Sequence, residues 1–204
     1  MERTDRKKRE FQRREQEILK VTESLLSGVD ADSVTVERIA TEVGIGKGTI
    51  YKHFKTKHEI VARLIEITLE DRMAVLSPKD RTPLDRITDY VALRIGHPHQ
   101  FALVERWMSG LRQHRQAESL ELIQRLLDAE RLKLAELLDQ AGCVGQSRSA
   151  HGMAGFVLAS VHGILALGGE RLNPDRPDAM NTIIPQVLAD LAQGARAPRK
   201  VTVL

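Results

Sequence analysis

At 204 residues the chain has the length for one large or two small domains with a full core. Apolar residues make up 42%, which excludes a disordered chain, and a net charge of +3 excludes nucleic-acid binding by bulk charge alone. The single cysteine, Cys143, excludes an internal disulfide and fits a reducing cytoplasm.

Residues 1–14 carry Arg3, Arg6, Lys7, Lys8, Arg9, Arg13 and Arg14 against Glu2, Asp5 and Glu10. They read as a basic N-terminal arm, suited to a phosphate or groove contact or simply to solubility. With no apolar run there, no signal peptide is expected. Phe11, Ile18, Val21, Leu25 and Leu26 fall at helical spacing, so a first helix is predicted over 10–27. Gly28 should end it.

Between residues 35 and 58 the pattern tightens. Thr35 is a good N-cap, since its hydroxyl can accept from an orphan backbone N–H. Ile39, Ala40 and Val43 make an apolar stripe of two turns. Gly44 stands where the chain must leave the helix, and Ile45 can plug the corner. A second helix starts near Lys47, with Ile50 and Phe54 inward. At roughly 100° per residue, Gly48 and Lys52 point away from that stripe, and Thr49 and Tyr51 flank it. Residues 44–58 hold four lysines, two histidines and no acid. A short helix that crosses another and lays out such a face suits the DNA major groove. Thr56 and Glu59 form a capping box for the next helix. Its N–H groups, with Lys57, suit a phosphate.

Thr35, Ile39-Ala40, Val43-Gly44-Ile45, Lys47-Gly48-Thr49-Ile50-Tyr51, Phe54, Lys57 and Ile60 resemble the DNA-binding domain of TetR-family transcriptional regulators. The resemblance covers about residues 14–62. It departs at Gly46, where the family usually has serine or a similar cap, and at Val29, where it tends to have an aromatic. It implies a sequence-specific DNA-binding regulator, a repressor released from a palindromic operator by a small molecule. Thr49, Tyr51 and Lys52, with Gly48 allowing close approach, are expected at the bases. Thr35, Lys47, His53 and Lys57 are expected mostly at phosphates.

Past this domain a longer helix is predicted from Lys57 to about Leu76, then a break at 77–83. Leu84, Ile87, Val91 and Ile95 stripe a helix over 83–95. Gly96 to His99 interrupts it. Phe101, Leu103, Val104, Trp107, Met108 and Leu111 belong to the next, and 117–141 form a long one. Residues 149–169 hold no Asp, Glu, Lys or Arg, and five of them are glycine. That length fits a membrane span, but His151, His162 and the glycines make it weakly apolar. A fully buried helix is the better reading. Gly155, Ala159 and Gly163 repeat every four residues and keep one face narrow, so another helix can come close. A last helix is predicted over 178–194. The fold class is therefore all-α, about nine helices, with a DNA-binding domain over 15–62 and a helical effector-binding and dimerisation domain over 63–204.

The resemblance implies a homodimer through the last two helices, 149–167 and 178–194. The narrow face would serve packing within one chain equally well. Two recognition helices about 34–36 Å apart would read a palindrome. A mostly apolar pocket would take an apolar or aromatic effector, with Phe101, Trp107, Met108, Phe156 and His162 as candidate lining. The seven histidines lack the cysteine or carboxylate partners of a metal site. No phosphate loop, zincin motif or nucleophile elbow is present. Neither an enzyme, a cofactor, a metal nor a membrane is expected, and the location is cytoplasmic. The rival reading is a helix-turn-helix interaction or architectural module without a specific operator.

Overall fold

Arg, Lys, Glu and Gln are good helix formers, and they carry the first helix back beyond its apolar stripe. In the computed structural model, α1 spans Glu2–Leu26. Residues 2–14 are thus the first turns of a helix, not a separate arm ahead of one. Glu17 pairs with Arg13 at 3.1 Å and Arg14 at 2.8 Å, the i,i+4 and i,i+3 contacts that support an exposed helix. The structure describes residues 2–27, 33–113, 117–144 and 149–167, with 186, 187, 189 and 190. Gly28 and Val29 lie outside them.

Among the described residues every regular element is a helix. After α1 come α2 (Val36–Val43), α3 (Lys47–His53), α4 (Lys57–Leu76), α5 (Pro83–Gly96), α6 (Pro98–Gln113), α7 (Ala117–Gln140) and α8 (Ala150–Leu167). The helix predicted over 178–194 lies outside the described residues except at 186, 187, 189 and 190, which are helical. The interruption expected over 96–99 shrinks to His97, because Gly96 completes α5 and Pro98, whose missing N–H costs nothing in a first turn, opens α6.

The chain divides into two compact units. The first comprises Met1–Thr68 and Ala102–Gln124, the second Leu69–Phe101 and Arg125–Leu204. In the first, Ile18 and Leu19 of α1 are buried with Ile39 and Ala40 of α2, Ile50 of α3, Phe54, and Ile60, Val61, Leu64 and Ile65 of α4. Thr22 is also buried, and its hydroxyl donates to the Ile18 carbonyl at 2.7 Å. Trp107 of α6 is 6% exposed. The Lys57 ammonium lies 4.9 Å above its ring.

In the second unit, Leu76, Ile87, Tyr90, Val91, Leu134, Leu137, Leu138, Cys143, Met153, Ala154, Val157 and Val161 form the core. Thr82 caps α5: its hydroxyl oxygen accepts from the Asp85 N–H, and Pro83 fits the first helical position. The apolar stripe predicted for α5 is only part of its buried face. Arg86, Tyr90 and Arg94, one every four residues, are buried beside Ile87 and Val91. The Tyr90 hydroxyl donates to Glu130 of α7 at 2.9 Å and accepts from Arg94 at 2.9 Å. Arg72 of α4 stands 3.8 Å from the same carboxylate. Burial pushes the Tyr90 phenol well above its ordinary range, so it stays neutral.

Residues 149–167 are not the fully buried helix their composition suggested. Met153, Ala154, Val157, Val161 and Ile164 face the core, while Gly152, Gly155, Phe156, Ala159 and Gly163 are exposed. A side chain added at Gly155 or Gly163 would meet nothing within 4 Å. Among the described residues, then, nothing packs closely on the narrow face. No helix among the described residues is long and apolar enough to cross a membrane.

Candidate nucleic-acid interface

The geometry of α2 and α3 starts at two caps. The Thr35 hydroxyl oxygen accepts from the Arg38 N–H at 3.2 Å. At the other end Gly44 has φ +73°, a left-handed conformation that a Cβ would strain. The Gly44 N–H reaches the Thr41 carbonyl at 3.1 Å and the Ile45 N–H reaches the Ala40 carbonyl at 2.9 Å. These paired bonds close α2 and turn the chain sharply into α3. Gly46 then stands at the α3 N-cap with no side-chain bond, as its lack of a hydroxyl requires.

The inward side of α3 is Ile50, fully buried, followed by Phe54 at 5% exposure. The opposite side carries Gly48 and Lys52, both exposed, with Tyr51 at 51% exposure. Thr49 is half-buried on the flank. This is the disposition expected from helical spacing. A side chain at Gly48 would meet nothing within 4 Å, so no contact among the described residues requires a glycine there.

The expected phosphate residues have specific partners. Lys47 donates to Glu37 of α2 at 2.7 Å. That bond raises the Lys47 pKa and lowers that of Glu37. Both side chains are exposed, so the pair is screened by water and open to exchange. Lys57 is turned inward: it donates to the Val34 carbonyl at 2.9 Å and covers Trp107. It is half-buried and ties the loop before α2 to α4. The capping box forms with a small shift. Thr56 accepts from the Glu59 N–H at 3.1 Å, and the Glu59 carboxylate accepts from the Lys55 N–H.

His53, expected at a phosphate, is half-buried against α1. Its ring stacks on Phe11 of α1, with centroids 3.9 Å apart and planes at 28°. Its Nδ1 is buried without a hydrogen-bond partner. Burial lowers its pKa below 6.5, against a smaller opposing pull from Glu15. A group whose folded pKa is depressed releases its proton more readily folded than unfolded. The neutral form therefore contributes stability above about pH 6.5 that is lost as pH falls through the folded value. We expect Tm to decline between about pH 7 and 5 more steeply in the wild type than in His53→Gln; parallel declines in thermal scans would contradict this.

The stacking partner Phe11 was legible only as a helix-face residue, although an exposed aromatic (47% exposed) two turns ahead of a core is a usable signal. Among the candidate pocket residues, Trp107 and Met108 lie in the first unit and His162 in the second, half-buried with Nδ1 3.2 Å from the Leu158 carbonyl. Phe156 is 56% exposed, on the outer face of α8. The side chain of Phe101 lies outside the described residues. Among the described residues no group of three metal-ligating side chains converges.

Residues 18–64 match the family model for bacterial regulatory proteins of the tetR family. An HTH-type transcriptional regulator of Staphylococcus aureus is 34% identical over 55 residues, which are 27% of this chain and 30% of that relative. The chain therefore matches less than a third of the length of that curated relative. Two solved structures share the fold over nearly the whole chain. One is a transcriptional regulator from a Rhodococcus species, 18% identical, covering 91% of this chain and 99% of the other with a TM-score of 0.67. The second, a TetR-family regulator also from Rhodococcus, is 16% identical over 88% of this chain and 99% of the other, with a TM-score of 0.69.

Proposed function

We propose that this chain, whose residues 18–64 match the tetR-family model, is a transcriptional repressor that reads a palindromic operator as a homodimer and leaves it when a small-molecule effector binds. The observation that carries the reading is the outer face of α3. Tyr51, Lys52 and Gly48 stand together in solvent, on a helix held by the left-handed Gly44 turn, within a stretch that contains no acid. Tyr51, Lys52 and Thr49 read base edges, and Thr35 and Lys47 hold phosphates. Contact by Lys47 exchanges Glu37 for DNA. His53 is neutral near pH 7, so it serves as a hydrogen-bonding group and a stacking partner for Phe11. Lys57 positions the loop before α2.

The dimer forms through 149–167 and 178–194. Support comes from the outer face of α8, where Phe156 stands among small uncharged residues in solvent. Phe156 thus belongs to the subunit contact, and the effector lies within the helical region of 63–204. The protein acts in the cytoplasm, without catalysis.

In vitro selection of random duplex DNA on the purified protein tests this reading. An enriched palindrome is the expected result. Uniform binding that fades with salt would instead mark a non-specific module. Gly48 provides a second test. Glycine inside a helix costs about 0.5–1 kcal/mol relative to alanine, and nothing among the described residues demands it. Gly48→Ala should therefore raise stability by about that amount while weakening operator binding. A variant that is both more stable and equally tight would remove Gly48 from the interface.

A further inference from the structure

We propose that the first turns of α1 form a second DNA-binding surface: Lys7 and Lys8 hold backbone phosphates beside the half-site that α3 reads, and the stack of Phe11 on His53 fixes their place. This surface rests on the regulator reading above and adds a second element to its DNA contact.

The helix outruns its core. Burial starts at Ile18, residues 5–17 are exposed or half-buried, and α1 still reaches back to Glu2. Along this stretch Phe11 stacks on His53, with ring centroids 3.9 Å apart. His53 and Thr49 are four residues apart and share one flank of α3. Phe11 therefore lays α1 against the flank that carries Thr49. At roughly 100° per residue, Lys7 and Lys8 lie within about 60° of Phe11, and Arg6 and Arg9 lie on the far side. Asp5 and Glu10 are about 100° or more away. Among residues 5–10, the face that continues from the stack toward the N-terminus thus carries two cations and no acid. Both lysines are exposed. The other cations are engaged elsewhere: Arg9 donates to the Asp5 carbonyl at 3.4 Å, and Arg13 and Arg14 pair with Glu17. Glu15 is on the core side of the stack, where it acts on His53.

Duplex DNA carries one negative charge per about 1.7 Å of its axis. A basic face joined to the flank of a helix in the major groove meets the phosphates next to the bases being read. Because these lysines stand on a formed helix, their backbone need not be ordered on binding, which removes a cost that a loose arm would bear. Phosphate contacts fix register without reading sequence. Lys7 and Lys8 should therefore strengthen binding to operator and to random duplex alike. Phe11 touches no DNA in this arrangement; it is a positioning residue for the lysines.

The test uses the full chain, titrated over a salt series with both the selected operator and random duplex DNA. The slope of log affinity against log salt counts the phosphates neutralised, at about 0.9 each. Replacing Lys7 and Lys8 together by glutamine should lower that slope by about 2 per protomer and leave the selected sequence unchanged. Replacing Arg6 and Arg9 by glutamine removes the same charge from the far side and should leave the slope near the wild-type value. Phe11→Ala removes no charge, yet it should lower the slope as the lysine pair does. Phe11→Trp keeps a stacking ring and should restore it. All five positions are exposed, and circular dichroism on the same samples checks that the helices persist. An unchanged slope in the lysine variant, equal losses in the lysine and arginine variants, or a wild-type slope in Phe11→Ala would overturn the proposal. A protein that selects an operator but keeps its slope without Lys7 and Lys8 refutes this surface alone. One that selects no operator, yet shows these slope changes on random duplex, refutes the sequence-specific reading alone.

Discussion

Replacing Thr49, Tyr51 and Lys52 together by alanine is expected to lower affinity for the selected operator by about 100-fold or more and to leave the fold in place. A good contact to a base edge is worth about 1–3 kcal/mol of discrimination. Losing even two of the three per recognition helix removes about 2–6 kcal/mol, and each 1.4 kcal/mol is about a factor of ten. Both heads of a dimer lose these contacts at once. The fold should survive because Tyr51 and Lys52 are exposed and only Thr49 is half-buried, while the core contacts of α3 come from Ile50. Alanine also has the highest helix propensity. Titration of labelled operator, with circular dichroism on the same samples, checks both halves. Unchanged affinity would mean that DNA, if bound, meets another face.

The largest stability effect is expected at Glu130. Its carboxylate is 3% exposed, accepts from the Tyr90 hydroxyl at 2.9 Å and stands 3.8 Å from Arg72. Removing one partner of a buried pair is far more damaging than replacing the whole pair with apolar groups, because a buried charge loses its counter-ion; the usual cost is about 3–5 kcal/mol. Glu130→Ala should therefore lower Tm by about 6–20 °C, at about 2–4 °C per kcal/mol for a chain of this size. Glu130→Gln keeps an acceptor for Tyr90 and loses only the charge, so it should fall between. By contrast Glu37→Ala, at an exposed pair, should hardly change Tm, since water screens it. A thermal scan in which Glu130→Ala and Glu37→Ala behave alike would show that the buried network is open to solvent.

Much of the first unit was legible in the sequence because its signals are local. The Thr35 cap, the Gly44 turn and the Ile50/Phe54 stripe act within a few residues of one another, and helical spacing alone sets which side of α3 faces out. The three residues named for base contact lie where spacing placed them. The phosphate set was harder to read, because the partners of its members are distant in sequence. Lys57 finds the Val34 carbonyl and Trp107, and His53 finds Phe11. Local spacing carries no information about such pairs.

The same distinction separates the rest of the molecule. By itself the sequence determined the helical class, the end of α4, the start of α5 and the face of α3, all of which follow from periodicity, caps and breakers. Only the tertiary structure decided how far burial extends around α5 and how much of α8 it leaves exposed. On α5, Arg86, Tyr90 and Arg94 look like solvent positions until Glu130 and Arg72 are brought alongside by elements far away in the chain. On α8, the absence of charge looked like burial, yet the core reaches only the Met153/Val157/Val161/Ile164 side. Periodicity reports how often a face recurs. What covers that face depends on contacts between distant elements, and those exist only once the chain has folded.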